Sequence, residues 1–260
     1  MNGQEISIKF DELLDITRNS FATFIEQTER AFTSLRPPVL AVDEAAEGSE
    51  KLQLDTALLA AAPVAVAPVH CEFFPLQEAG HRFVLAVDGV YLEVRRPWLH
   101  FIHRIAEQKA GVKVPYGAVQ PKVELAFGQL GTALEQMREF AVHAMEAAPL
   151  EAAASLIWNH VSKAWSIKFP TVIGEATASS IQYEQVALAE DGSESIAIDM
   201  HSHGHGPAFF STTDDADDAG AVKISGVFGS LDQAMPSVAF RICVLGIYIT
   251  IPVPAEKIFG

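Results

Sequence analysis

Four residues near position 200 stand at spacings that suit metal chemistry. In Ile198-Asp199-Met200-His201-Ser202-His203 two imidazoles are separated by one residue. On an extended backbone residues two apart share a face, so both rings can reach one ion. Gly204, Gly206 and Pro207 then let the chain turn back. Ser211, followed three residues later by Asp214, reads as a helix start of the capping type, with Asp214 in the first turn. A carboxylate held there supplies a third ligand. An N, N, O set leaves the fourth tetrahedral position to water, as catalytic zinc sites do and closed structural sites do not. Such a metal lowers the pKa of its water to roughly 7. A base must then take the proton and pass it to the leaving group, and a donor must face the oxygen that becomes negative. Ser211 can be that donor.

The rest of the chain must position these groups, and its composition bounds how. At 260 residues, 49% hydrophobic and 20% charged, it can bury a sizeable core as one large domain or two small ones. With 18 basic against 33 acidic residues the formal charge is −15, which opposes a grip on nucleic acid or on an anionic membrane. The two cysteines, Cys71 and Cys243, stand far apart in apolar surroundings, so the sequence expects no disulfide framework and fits a reducing cytoplasm. The N-terminus has no signal-peptide pattern. The most apolar early run, Thr56 to Val69, contains Pro63 and Pro68 and is too short and broken to cross a bilayer.

Apolar residues at helical spacing from Phe10 to Leu35 predict an N-terminal amphipathic helix over 1–36, followed by an Ala/Pro-rich linker over 37–69. Residues 70–127 read as a small β-rich accessory domain, with a hairpin turning at Asp88-Gly89. Arg95-Arg96-Pro97-Trp98 is read as surface packing, and His100 and His103, expected on a helix, lack a third ligand nearby. Residues 128–260 read as an α+β domain with a mixed sheet and flanking helices. Its helix runs from Leu130 to Ala147, and strands are expected at Ala153–Trp158, Ser166–Phe169, Gln182–Ala189, Ser195–Met200, Lys223–Phe228 and Phe240–Val253, the last as one central strand.

His201-Ser202-His203, seven residues, Ser211, two residues and Asp214 reproduce the pattern H-S/T-H-x7-S-x2-D. In this the sequence resembles the JAMM (JAB/MPN) metalloproteases. The resemblance implies the JAB/MPN fold, Zn2+ held by His201, His203 and Asp214, and removal of ubiquitin or ubiquitin-like proteins. That family carries a glutamate upstream, often with a proline two residues before it. Pro149-Leu150-Glu151-Ala152-Ala153 has that form, so Glu151 is the inferred general base and Ser211 the inferred oxyanion donor. Glu146, late in the helix, and Glu175, in an expected loop, compete for the base role. One departure is Gly204, where the family has proline, which is expected to loosen the loop. His205 is an extra imidazole expected to face solvent. Asp215, Asp217 and Asp218 are assigned only to the first turns of a helix, where they complement its dipole.

The resemblance covers Leu130 to the C-terminus. A narrower likeness, to the protein A family of bacterial PRTRC cassettes, extends upstream over the Ala/Pro stretch, the Asp88-Gly89 hairpin and Arg95-Arg96-Pro97-Trp98. It implies a ubiquitin-like protein or its conjugate as partner, with E1/E2-like cassette proteins alongside. The expectation is a cytoplasmic zinc isopeptidase. The alternative is an MPN-type scaffold that binds such a partner without cutting it, or is activated by it. The N-terminal helix is expected to pack on its own domain, with docking elsewhere in the assembly or on a neighbouring copy as the alternatives, the last of which would make a homo-oligomer.

Overall fold

A computed structural model describes residues 64–173, 177, 184 and 186–260. The expected N-terminal helix, the linker as far as residue 63 and Glu175 lie outside them. The chain divides into Met1–Ala57 and Leu58–Gly260, and every described element belongs to the second unit.

The first sheet runs in the order β1 (Val64–Val66), β2 (Gly80–Ala86), β3 (Gly89–Arg96), β4 (Leu99–Glu107), β5 (Lys122–Leu125). Only β1 and β2 pair in parallel. The β-branched Val64 and Val66 add an edge strand inside the stretch expected to be linker. Ala86 pairs with Gly89, so the hairpin turns at Val87-Asp88, one residue earlier than expected. Gly89 sits at φ 152°, where a side chain would overlap the Ala106 carbonyl. His100 and His103 lie on β4, not on a helix. Three residues apart on a strand they face opposite ways and cannot converge on an ion. His100 is instead buried, with Nε2 2.9 Å from the buried Glu93 carboxylate. Pro97-Trp98 makes the turn into β4, and Trp98 faces inward rather than lying on the surface.

A 3₁₀ turn (Leu130–Ala133) leads into α1 (Leu134–Ala147). There follow β6 (Ala153–Asn159), β7 (Ala164–Lys168), β8 (Glu194–Ser202), α2 (Thr212–Asp218), β9 (Val222–Gly229), β10 (Ser237–Val244), β11 (Ile247–Ile251) and α3 (Glu256–Phe259). The second sheet has the order β11-β10-β9-β8-β6-β7, antiparallel except for the pair β8 and β9. The protein is therefore α+β with a mixed sheet, as expected. Two expected strands differ. The Phe240–Val253 run is two strands, because Leu245 (φ 50°) and Gly246 (φ 88°) form a two-residue turn with both φ positive, the geometry that matches strand twist. Residues 186–189 are not in a strand; Asp191-Gly192 instead turns directly into β8, with the Asp191 carboxylate accepting the Ser193 amide at 2.9 Å.

Met137, Phe140, Ala141 and Ala144 of α1 pack on the face of the second sheet that carries Ile198, Met200, Ile224 and Phe228, with Phe140 meeting Phe228 edge-on at 4.9 Å. Leu92, Val94, Trp98, Leu99 and Phe101 of the first sheet join the same core. Phe127 bridges the two, with its ring 6.0 Å from that of Trp98, 5.6 Å from Trp158 and 4.7 Å from Trp165. By the twofold alternation of a strand, Asp199 and His201 of β8 face away from this core, toward α2. Among the described residues no helix is long and apolar enough to cross a membrane.

Candidate metal centre

Two parallel strands need a crossover of about a dozen residues or more, and that between β8 and β9 holds the candidate site. His201 is in the last turn of pairing on β8, and His203 lies one residue past its end with its amide bonded to the Phe228 carbonyl at 2.8 Å. His203 Nδ1 is 3.1 Å from the Pro207 carbonyl oxygen. Donation there fixes the proton on Nδ1 and leaves Nε2 with a free lone pair, the usual device for orienting a metal-binding histidine. The Phe209 ring stands edge-on to the same imidazole at 4.9 Å.

Ser211 caps α2, as the sequence predicts. Its Oγ accepts the Asp214 amide at 3.2 Å, and its own amide donates to Asp214 Oδ2 at 2.6 Å. The carboxylate thus divides its work: Oδ2 closes the cap, while Oδ1 lies 3.2 Å from His201 Nε2. The Nε2 atoms of His201 and His203 are also 3.2 Å apart. Ligands about 2.0–2.1 Å from a tetrahedral zinc stand about 3.3–3.4 Å from one another, so this spacing fits the ion. All three ligand atoms lie within 4.8 Å of one another. Burial lowers the pKa of His201 against the pull of Asp214, which favours the neutral, ligating imidazole.

Glu151 precedes β6 by two residues and is buried. Burial raises its pKa, the largest cause, with His203 lowering it and Asp214 raising it. Its amide donates to the Thr177 carbonyl at 2.8 Å. Its neighbour Ala152 is pinned by Ser202, whose Oγ accepts the Ala152 amide at 3.0 Å and whose amide donates to the Ala152 carbonyl at 2.9 Å. The middle residue of His201-Ser202-His203 therefore ties the glutamate segment to the histidine strand. The structure brings Glu151, His201, His203, Ser211 and Asp214 to one end of β8. Glu146 is exposed on α1, and His205 is exposed and does not join the ligand cluster.

The loop after His203 is not loosened by Gly204. Its φ is 53°, and a side chain there would overlap the Pro149 carbonyl oxygen. Proline cannot adopt that φ, so the glycine belongs to a different, tightly held turn. Gly206 donates to the His203 carbonyl at 2.8 Å, Ser230 to that of Gly206 at 2.6 Å, and Leu231 to that of Gly204 at 3.0 Å.

Asp218 also departs from expectation. It ends α2 rather than starting it, where the helix dipole opposes a negative charge. Its buried carboxylate is held by Lys223 at 2.9 Å and by Arg241 at 2.7 Å. Burial would raise its pKa, but these hydrogen bonds lower it overall. A signal was present: Lys223 and Arg241 interrupt otherwise β-rich apolar runs, and a cation there needs a buried acid.

Residues 134–243 match the family described as prokaryotic homologs of the JAB domain. Residues 52–126 match a domain of unknown function, DUF2016. No curated protein matches the chain. The C-terminal portion thus resembles a JAB domain, and the two matches meet near the junction between the two sheets. A JAB domain fits a peptidase or a scaffold role.

Proposed function

We propose that the protein is a zinc-dependent peptidase that cuts a peptide or isopeptide bond after the C-terminus of a ubiquitin-like protein. The observation that carries this reading is the convergence of His201, His203 and Asp214 beside a buried carboxyl, Glu151, whose pKa is raised. Zinc held by those three residues would supply Lewis-acid chemistry, making a water nucleophilic near neutral pH and polarising the carbonyl. Glu151 takes the proton of the attacking water and returns it to the departing amine, a task that favours a carboxyl titrating nearer neutrality than usual. The Ser211 hydroxyl uses a lone pair in the cap, so its proton is left to donate to the carbonyl oxygen as that becomes negative. No covalent acyl-enzyme forms. The ubiquitin-like partner is supported by the resemblance of the full His, Ser and Asp pattern to the JAMM metalloproteases, and E1/E2-like cassette proteins are its proposed companions.

The test is cleavage of linear and isopeptide-linked conjugates of a ubiquitin-like protein. We expect turnover to vanish on chelation, to return with zinc, and to fall by orders of magnitude in Glu151→Gln while zinc binding persists. A zinc-loaded protein that binds such a conjugate and leaves it intact would be a scaffold instead.

A further inference from the structure

Seven residues are too few for α2 to be stable by itself, since helix nucleation is unfavourable and isolated helices below about a dozen residues are marginal in water. Yet Asp214 lies in its first turn, and a metal ligand must be placed closely. Lys223 holds Asp218 at the helix end at 2.9 Å, and one side chain on β10 spans α2 from before its cap to that end. The guanidinium of Arg241 donates to Asp218 Oδ2 through Nε at 3.2 Å and Nη2 at 2.7 Å, and to Asp215 Oδ1 through Nη1. Its carbon lies 3.9 Å from the ring centroid of Phe210 and 4.1 Å from that of Tyr248. Tyr248 in turn donates its hydroxyl to the Asp215 carbonyl at 2.7 Å.

We infer that Arg241 is the positioning residue for the ligand Asp214. Its contacts fall on both sides of that residue: Phe210 just before the cap, Asp215 immediately after the ligand, and Asp218 at the helix end. Arg241 itself is 6% exposed and sits opposite Ser225 in the β9–β10 ladder, so it is anchored in the sheet that carries His201. A buried ion pair is weak grounds for stability, because desolvation offsets much of the attraction; its value here is geometric. Only a planar fork can bridge two carboxylates while stacking between two rings, so lysine is not an equivalent.

The inference rests on the metal reading above, and the experiment separates the two. Zinc affinity is measured by chelator competition for the full chain, His203→Ala, Arg241→Met, Arg241→Lys, Asp214→Ala and the double variant Arg241→Met/Asp214→Ala, with metal-free melting curves and cobalt absorption spectra for each. We expect Arg241→Met to weaken zinc about 10–100-fold, the range for supporting contacts of a metal ligand, and to distort the cobalt spectrum. In the Asp214→Ala background the same change should have no further effect, because Arg241 acts through Asp214. Should Arg241→Met not fold, Arg241→Lys carries the same comparison. Equal losses in both backgrounds, or wild-type affinity in a folded Arg241 variant, would overturn the inference alone. Zinc binding that is the same in wild type and His203→Ala would overturn the metal reading and the inference with it.

Discussion

Ser202 and Ala152 exchange two hydrogen bonds across the start of β6, through the Ser202 hydroxyl and amide on one side and the Ala152 amide and carbonyl on the other. Ser202 is fully buried, and Ala152 is next to Glu151. Ser202→Ala would leave a buried N–H without its acceptor, at a cost of about 1–3 kcal/mol. Because the freed segment carries the proposed base, turnover should fall as well, by up to about 100-fold if Glu151 moves by an ångström. Zinc affinity should hold, since His201 keeps its strand pairing and His203 its bond to the Phe228 carbonyl. Chemical denaturation, zinc titration and turnover on one preparation check the three parts together.

Glu151 has a stability cost that pH exposes. Its folded pKa is raised by burial, so between the unfolded value and the folded value the native state binds more protons than the unfolded chain. Stability from this group is therefore full below about pH 4 and is lost as pH rises through the folded pKa. Metal-free Glu151→Gln should melt with wild type at pH 4 and above it at pH 7, while remaining inactive with zinc. Melting curves across that range that stay superimposed would mean that the carboxyl is not desolvated.

Gly204→Ala should destabilise the site loop. The left-handed backbone alone costs an L-residue about 1–2 kcal/mol, and the added carbon would also press on the Pro149 carbonyl just ahead of Glu151. Gly204→Pro should be worse, since its ring excludes a φ of 53°. The expected signature is a lower melting temperature together with weaker zinc binding, as His203 adjoins the displaced turn. A proline variant as stable as wild type would show that the loop can adopt another turn.

The candidate ligand cluster was legible because its members are close in sequence and their geometry is local: alternation on a strand places His201 and His203, and a capping box places Asp214. Glu151 was legible only through family resemblance, since the contact that brings its segment to β8 is between Ala152 and Ser202, 50 residues apart. The clamp on α2 was illegible for the same reason. Asp218 meets Arg241 across 23 positions, and a run of aspartates after a cap reads locally as charge that complements the helix dipole. Periodicity also failed where two codes overlap: His100 and His103 stand at helical spacing, yet Leu99, Phe101 and Ile102 beside them fill a buried strand. The strand run from Phe240 was split by Leu245-Gly246, a turn with too little polarity to interrupt the hydropathy pattern.

The two sheets share one core, and Phe127 tests it. This residue is 6% exposed and stands between Trp98, in the turn that joins β3 and β4 of the first sheet, and Trp158 and Trp165 of the second. Removing a buried phenylalanine ring costs about 3–5 kcal/mol, and in a unit of this size each kcal/mol lowers the midpoint by about 2–4 °C. Phe127→Ala should therefore melt roughly 10 °C lower, with tryptophan fluorescence and far-UV circular dichroism still coincident, because both sheets draw on the same apolar contacts. If the two signals separate, the two sheets do not melt as one unit, and the shared core adds little to their stability.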